Sequence, residues 1–219
     1  MILVSTLFPG EVNINETAVA SLVIENQDLF RRFLQSINNQ INGVEGEIIL
    51  SDNSEILKIS KVVDLVLVPF GFSEKKLINK ISNLLAKEAV SEAYYEKTME
   101  MISNIERYVD SMIGFLPCTL TYTSINAESI IKMCGINIVD DSCNEVEKVF
   151  NYMVLMRDLL GIRLFVFVNI RSFFNDEDLQ QFINDLVNHK FETLFVESTE
   201  RPLLSHMSQL IVDSDLCII

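Results

Sequence analysis

The chain has 219 residues, 49% hydrophobic and 22% charged, enough apolar material for one large core or for a core with a lobe. Its 17 lysines and arginines face 31 aspartates and glutamates, a net charge of −14, which argues against a surface that coats nucleic acid generally. Seven glycines and four prolines are too few for long flexible linkers.

The opening MILVSTLF reads as a strand. It is too short to span a membrane and lacks the basic region of a signal peptide. Val19–Ile24 (VASLVI) reads as a strand. Asn26 is placed to cap the helix that follows, in which Leu29, Phe30, Phe33, Leu34, Ile37 and Ile41 make one apolar face. Arg31 and Arg32 lie on its flank. EIILSDNSEILKI joins two short apolar runs through Ser-Asp-Asn-Ser, a hairpin signature. Residues 62–70 (VVDLVLVPF) read as another buried strand, ended by Pro69 and Gly71.

The texture changes at Ser73. Residues 73–116 carry no turn signal except Gly114, which predicts one long helix or a helix pair. Leu77, Ile78, Ile81, Leu84 and Leu85 form one apolar stripe, and Met99, Ile102, Ile105, Val109, Met112 and Ile113 another. Glu88, Glu92, Glu96 and Glu100 recur every four residues. Their simplest reading is the solvated side of a long helix; the functional one is a divalent-cation or basic-partner site.

The α/β pattern then returns. A short helix over 127–134 ends at Gly135, and a helix over 145–160 is stopped by Gly161. Residues 163–168 form a strand. Asn175 caps a helix whose first turn, Asp176, Glu177 and Asp178, suits the positive end of the helix dipole. Residues 193–196 form a strand, and 216–219 are expected to form the last one. Alternating helices and strands imply crossover connections and a largely parallel sheet. The predicted architecture is a discontinuous α/β head, residues 1–72 and 143–219, with a helical lobe, 73–142, inserted. A mean hydropathy of +0.28, 14 phenylalanines and 8 methionines call for a large core or for apolar surface covered by other copies. A homo-oligomer built partly through the lobe is therefore expected.

RLFVFVNIRSFF, residues 163–174, carries the sharpest question. In a nucleotide-hydrolysing α/β protein such a strand often ends in a metal-holding carboxylate, and here it ends in Asn169. No glycine begins a G-x-x-x-x-G-K-[ST] loop, and G-x-G-x-x-G is also missing, so ATP hydrolysis by that mechanism is not expected. Cys118, Cys134, Cys143 and Cys217 show no paired spacing, which fits reduced thiols in a cytoplasmic protein. His189 suits a helix end and His206 a solvated loop, and no zinc site is expected.

Charge is uneven along the chain. Residues 61–118 carry seven basic and eight acidic groups, whereas 119–219 carry seven and fifteen. On one helix, Lys76, Lys80 and Lys87 stand at about 0°, 40° and 20° and so share a face. This is either a soluble helix surface or a contact for a phosphate backbone without base readout.

These stretches resemble the Csn-two family, the small accessory proteins of type II-A CRISPR loci. The resemblance runs over about residues 18–219, best in SKVVDLVLVPFGFSEKKLINKI, in INAESIIKMCGINIVDD, and in GIRLFVFVNIRSFFNDEDLQQFINDL followed by TLFVES. It implies an α/β head similar to a P-loop NTPase, with a mostly parallel sheet and no Walker A loop, and an inserted helical leg. It further implies a non-enzymatic, homotetrameric ring that binds ends of double-stranded DNA without sequence preference. Such a ring supports spacer acquisition beside the adaptation integrase and the RNA-guided effector nuclease, with no membrane involved. Members bind calcium through carboxylates before the helix corresponding to 127–134; here that segment, CTLTYTS, has none, leaving Glu128, Asp140 or Asp141 as possible ligands. The DNA-facing candidates are Lys76, Lys80, Lys87, Lys75, Lys58, Lys61, Arg31, Arg32 and Lys132. The opposing reading is an acidic oligomeric scaffold or regulator that binds proteins rather than DNA, which the −14 charge and the glutamate ridge favour.

Overall fold

The six residues VASLVI, apolar but for Ser21, are all buried in a computed structural model of the chain, in the interior of its larger sheet. The structure describes residues 1–67, 74–115, 117–139 and 144–219. The chain divides into two compact units, Met1–Phe72 with Asp141–Ile219, and Ser73–Asp140.

The first unit holds two sheets. Strands β1 (Ile2–Ser5), β2 (Glu11–Asn13), β4 (Ile48–Asp52) and β5 (Glu55–Leu57) form an antiparallel sheet in the order β2-β1-β4-β5. Strands β3 (Val19–Ile24), β6 (Val63–Leu67), β7 (Leu164–Val168), β8 (Glu192–Glu197) and β9 (Met207–Val212) form a parallel sheet in the order β6-β7-β8-β3-β9. The fold is thus mixed α/β with a parallel sheet. The predicted hairpin is β4 and β5. Of the predicted strand over 62–70, Val63–Leu67 is β6, and 68–70 with Gly71 lie outside the described residues.

Pleating sends alternate residues of the parallel sheet to opposite faces. Leu22, Ile24, Leu164, Val166, Leu194 and Val196 join one buried cluster with Leu3 and Leu50 of the antiparallel sheet and with Leu29, Phe33 and Ile37 of α1 (Gln27–Ile41). Phe165, Phe167 and Phe195 alternate with them. Phe167 meets Phe182 of α7 (Asp176–Asn188) at 5.6 Å and Phe195 at 5.8 Å, both edge-on, an arrangement favoured by the ring quadrupole. Much of the phenylalanine surplus goes into this core.

Local chemistry sets the helix ends. Asn26 accepts from the Leu29 amide at 3.0 Å, Asn144 from Glu147 at 2.8 Å to open α6 (Glu145–Leu160), and Asn175 from Asp178 at 2.8 Å to open α7. Gly161 closes α6 at φ 72°, a conformation that costs glycine nothing.

Two expectations are corrected here. The last strand is β9, and residues 216–219 are not a strand. Leu216 has φ 66°, and Asp213 accepts from the amides of Asp215 and Cys217, folding the end back so that Ile218 makes one isolated bridge to Val212. The glutamate ridge does not run along one helix. Glu88 belongs to α3 (Glu74–Ala89) and Glu96 and Glu100 to α4 (Tyr95–Ile113), with Glu92 in the turn where the Ser91 carbonyl receives the Tyr94 and Tyr95 amides.

The second unit contains α3, α4 and α5 (Ala127–Met133), with α3 packed against α5. Leu77, Ala127 and Ile130 are buried, and Asn126 caps α5 through the Ser129 amide. No residue of α4 is buried, and Met99, Met101, Tyr108 and Met112 are exposed. No helix among the described residues is long and apolar enough to cross a membrane.

Candidate nucleic-acid interface

In open α/β sheets, ligand chemistry gathers at the carboxyl ends of the parallel strands. Here those ends are tied by side chains. β3 passes into α1 through Glu25 and Asn26 alone; the Glu25 amide donates to the Val212 carbonyl at 3.0 Å, and Asn26 Nδ2 to the Ser214 carbonyl at 3.1 Å. That two-residue link contains no glycine whose bare backbone could wrap a phosphate. At the end of β7, Asn169 is left-handed (φ 49°, ψ 37°) and its Oδ1 accepts from the amide and the hydroxyl of Ser198. Next to it, the Arg171 amide donates to the buried Glu197 carboxylate at 3.2 Å. Burial pushes the Glu197 carboxyl above its ordinary value, against the pull of Arg171 and Arg201.

The nine cationic candidates fall into the two units. Lys75, Lys76, Lys80 and Lys87 lie on α3, and Lys132 on the neighbouring α5. Arg31 and Arg32 lie on α1, and Lys58 and Lys61 on or beside α2 (Ile59–Val62), which packs on α1. Three are engaged at home: Arg31 with Asp28 at 2.9 Å, Arg32 with Glu47 at 3.2 Å, and Lys132 with Glu128 one turn away. Among the described residues, the six lysines 58, 61, 75, 76, 80 and 87 form no ion pair. A cation already paired must break that pair to reach a phosphate, so these six are the stronger candidates.

The α3 face is the best defined. On a helix of 3.6 residues per turn, Lys76, Asn79, Lys80, Asn83 and Lys87 fall within about 100° of one another, and no carboxylate lies between them. They extend about 16 Å along the axis. Asparagine amides also donate to phosphate oxygens. Asn79 and Asn83 carry no charge, so charge spacing alone does not single them out. Lys97, exposed on α4 and without an ion pair among the described residues, stands apart from the lysine cluster in sequence.

The calcium-binding segment implied by the resemblance offers hydroxyls but no carboxylate. Tyr122 donates its hydroxyl to Asp110 Oδ1 at 2.9 Å, which raises the phenol's pKa, and Glu128 is held by Lys132. This donor set does not fit a hard divalent cation. Asp140 and Asp141 lie outside the described residues, among which no group of three or more potential ligands is placed to hold a metal ion.

Among solved structures, the chain is similar to a putative ABC transporter (ATP-binding protein) from Pyrococcus furiosus, at 10% identity and a TM-score of 0.37 over 91% of this chain and 88% of that one. It is also similar to an ATP-binding cassette of an ABC transporter in its ADP conformation, at 10% identity and a TM-score of 0.43 over 92% and 78%. Likeness at this level carries no statement about nucleotide chemistry. A family model described as CRISPR-associated protein (Cas_Csn2) matches residues 40–216, most of the chain, from within α1 to beyond β9. The chain belongs to the Cas_Csn2 family of CRISPR-associated proteins.

Proposed function

We propose that this protein binds the ends of double-stranded DNA without sequence preference, as a non-catalytic homotetrameric ring that supports CRISPR spacer acquisition. The observation that carries this reading is the carboxylate-free α3 face, whose three lysines form no ion pair among the described residues. Contacts of that kind recognise the phosphate backbone and carry no base information. Family membership supports a place beside the adaptation integrase and the RNA-guided effector nuclease. The glycine-free link between β3 and α1 supports a P-loop-NTPase-like head without nucleotide chemistry, and the exposed apolar side chains of α4 support assembly through a helical leg.

The deciding experiment is an electrophoretic shift with a linear duplex and a covalently closed circle of the same sequence, at two salt concentrations, with calcium and with chelator. A ring threaded from ends retains the linear form only. Equal retention of the circle refutes the ring. Loss of binding with chelator would locate calcium elsewhere than residues 118–124. The net charge of −14 favours a second reading, an acidic scaffold for other proteins. A well-defined oligomer that retains neither DNA would establish that reading instead.

A further inference from the structure

In the first unit, α6 and α7 enclose a groove of about 620 Å³ on the side of the parallel sheet away from the antiparallel one. Its floor is aromatic. Phe150 is fixed edge-on between His189 (4.8 Å) and Phe191 (5.5 Å), and Phe174 leans on the buried Phe182 (6.4 Å). Phe173 is 49% exposed. The rim is acidic, with Glu145 and Glu147 on α6 and Asp178 and Asp185 on α7. Among the described residues, no lysine or arginine lines the groove.

We infer that this groove is a docking site for a cationic, apolar-anchored segment of another protein: lysines or arginines beside a leucine or phenylalanine. The anchor would cover Phe173 and rest on the fixed Phe150 and Phe174 rings, while its charges meet the carboxylates of the rim. The charge decides against the other occupants. DNA would bring phosphates up to four carboxylates, Glu145, Glu147, Asp178 and Asp185. A second copy of this chain, at −14, offers mostly the same sign. A preformed aromatic floor with a charged rim is the usual build of a specific peptide site, the apolar part supplying affinity and the charges selecting the partner. This inference does not depend on the DNA reading.

The test uses the full-length protein and a labelled synthetic peptide of about 15 residues, long enough to form a helix, with leucines on one face and lysines flanking them. Binding is followed by fluorescence anisotropy. Two control peptides are titrated beside it, one with glutamate for every lysine and one with serine for every leucine. The expected result is saturable binding of the first peptide only, weakened about ten-fold by the double variant Asp178→Lys/Asp185→Lys. Phe173→Asp should weaken it as well, with melting temperatures close to the parent's. Binding of the acidic or the leucine-free peptide as tightly, unchanged affinity in both variants, or displacement by duplex DNA would each overturn the site. A change of oligomeric state in the Asp178→Lys/Asp185→Lys variant would assign the groove to a second copy and overturn it too.

Discussion

Asn169 Oδ1 receives both the amide of Ser198, at 2.9 Å, and its hydroxyl, at 3.0 Å, and so locks the end of β7 to the end of β8. Asparagine is among the few side chains that tolerate the left-handed backbone found there, and a short acceptor is what the neighbouring loop needs. The residue that interrupts the carboxylate pattern is therefore a structural tie. Asn169→Ala removes two hydrogen bonds and puts alanine at φ 49°, a loss of roughly 2–4 kcal/mol. Asn169→Gly should recover the backbone part of that loss in denaturant unfolding. Asn169→Asp keeps the acceptor and supplies a carboxylate, yet no ATP turnover should appear, because the β3–α1 link still lacks a phosphate cradle. Measurable hydrolysis in that variant would refute the account.

Glu197 is 3% exposed at the same sheet end, and burial raises its pKa above the ordinary 4.5. A raised acid contributes stability that is present below its unfolded value and is lost as pH rises through its folded value. Glu197→Gln keeps an acceptor for the Arg171 amide but does not ionise. The melting temperature of the variant should therefore gain on the parent's as pH rises above the ordinary value of 4.5. Glu192, also raised by burial, and Asp52, lowered by its hydrogen bond from Arg163, are common to both proteins and cancel in the difference. A constant difference as pH rises would mean that Glu197 ionises as it does in the unfolded chain.

Local signals were the legible ones. Asn26, Asn175 and Gly161 end helices where their side-chain and backbone preferences place them. VASLVI, apolar but for Ser21, and LFVFV are strands because they have apolar side chains to bury on two faces. β9 was missed because Ser208 and Gln209 interrupt the apolar pattern of MSQLIV, and its edge position, paired on one side only, tolerates them. The three-residue β2 is recognisable only from its partner β1. The break near Ser91 has neither glycine nor proline to announce it. At the candidate interface, spacing alone could have discounted Arg31, three residues from Asp28, and Lys132, four from Glu128. Arg32 could not be judged that way, since Glu47 reaches it across fifteen residues of sequence.

Helix α4 contributes no buried residue, yet Met101 is 51% exposed and Tyr108 is 65% exposed, seven residues apart on one side. Exposed apolar side chains recurring at that interval suit a facing helix. If the proposed oligomer forms through this side, Met101→Lys/Tyr108→Lys should yield smaller species in sedimentation velocity, with the melting transition of the isolated chain preserved. An unchanged sedimentation coefficient would remove α4 from the interface.

Lys76, Lys80 and Lys87 give the most quantitative test of DNA binding. Each lysine that neutralises a phosphate releases condensed counterions, so the slope of log K against log salt is about −0.9 per contact on duplex DNA. If all three touch phosphates, replacing them with alanine should make the slope less negative by about 2.7 and weaken binding most at low salt. Different duplex sequences should suffer equally, since no base is read. Arg31→Ala/Arg32→Ala serves as the comparison. Both arginines already have carboxylate partners at 2.9 and 3.2 Å, so their removal should change the slope by less than the lysine triple does. A triple variant with the parent's slope would place the phosphate contacts elsewhere, with Lys58, Lys61 and Lys75, which form no ion pair among the described residues, the next to replace.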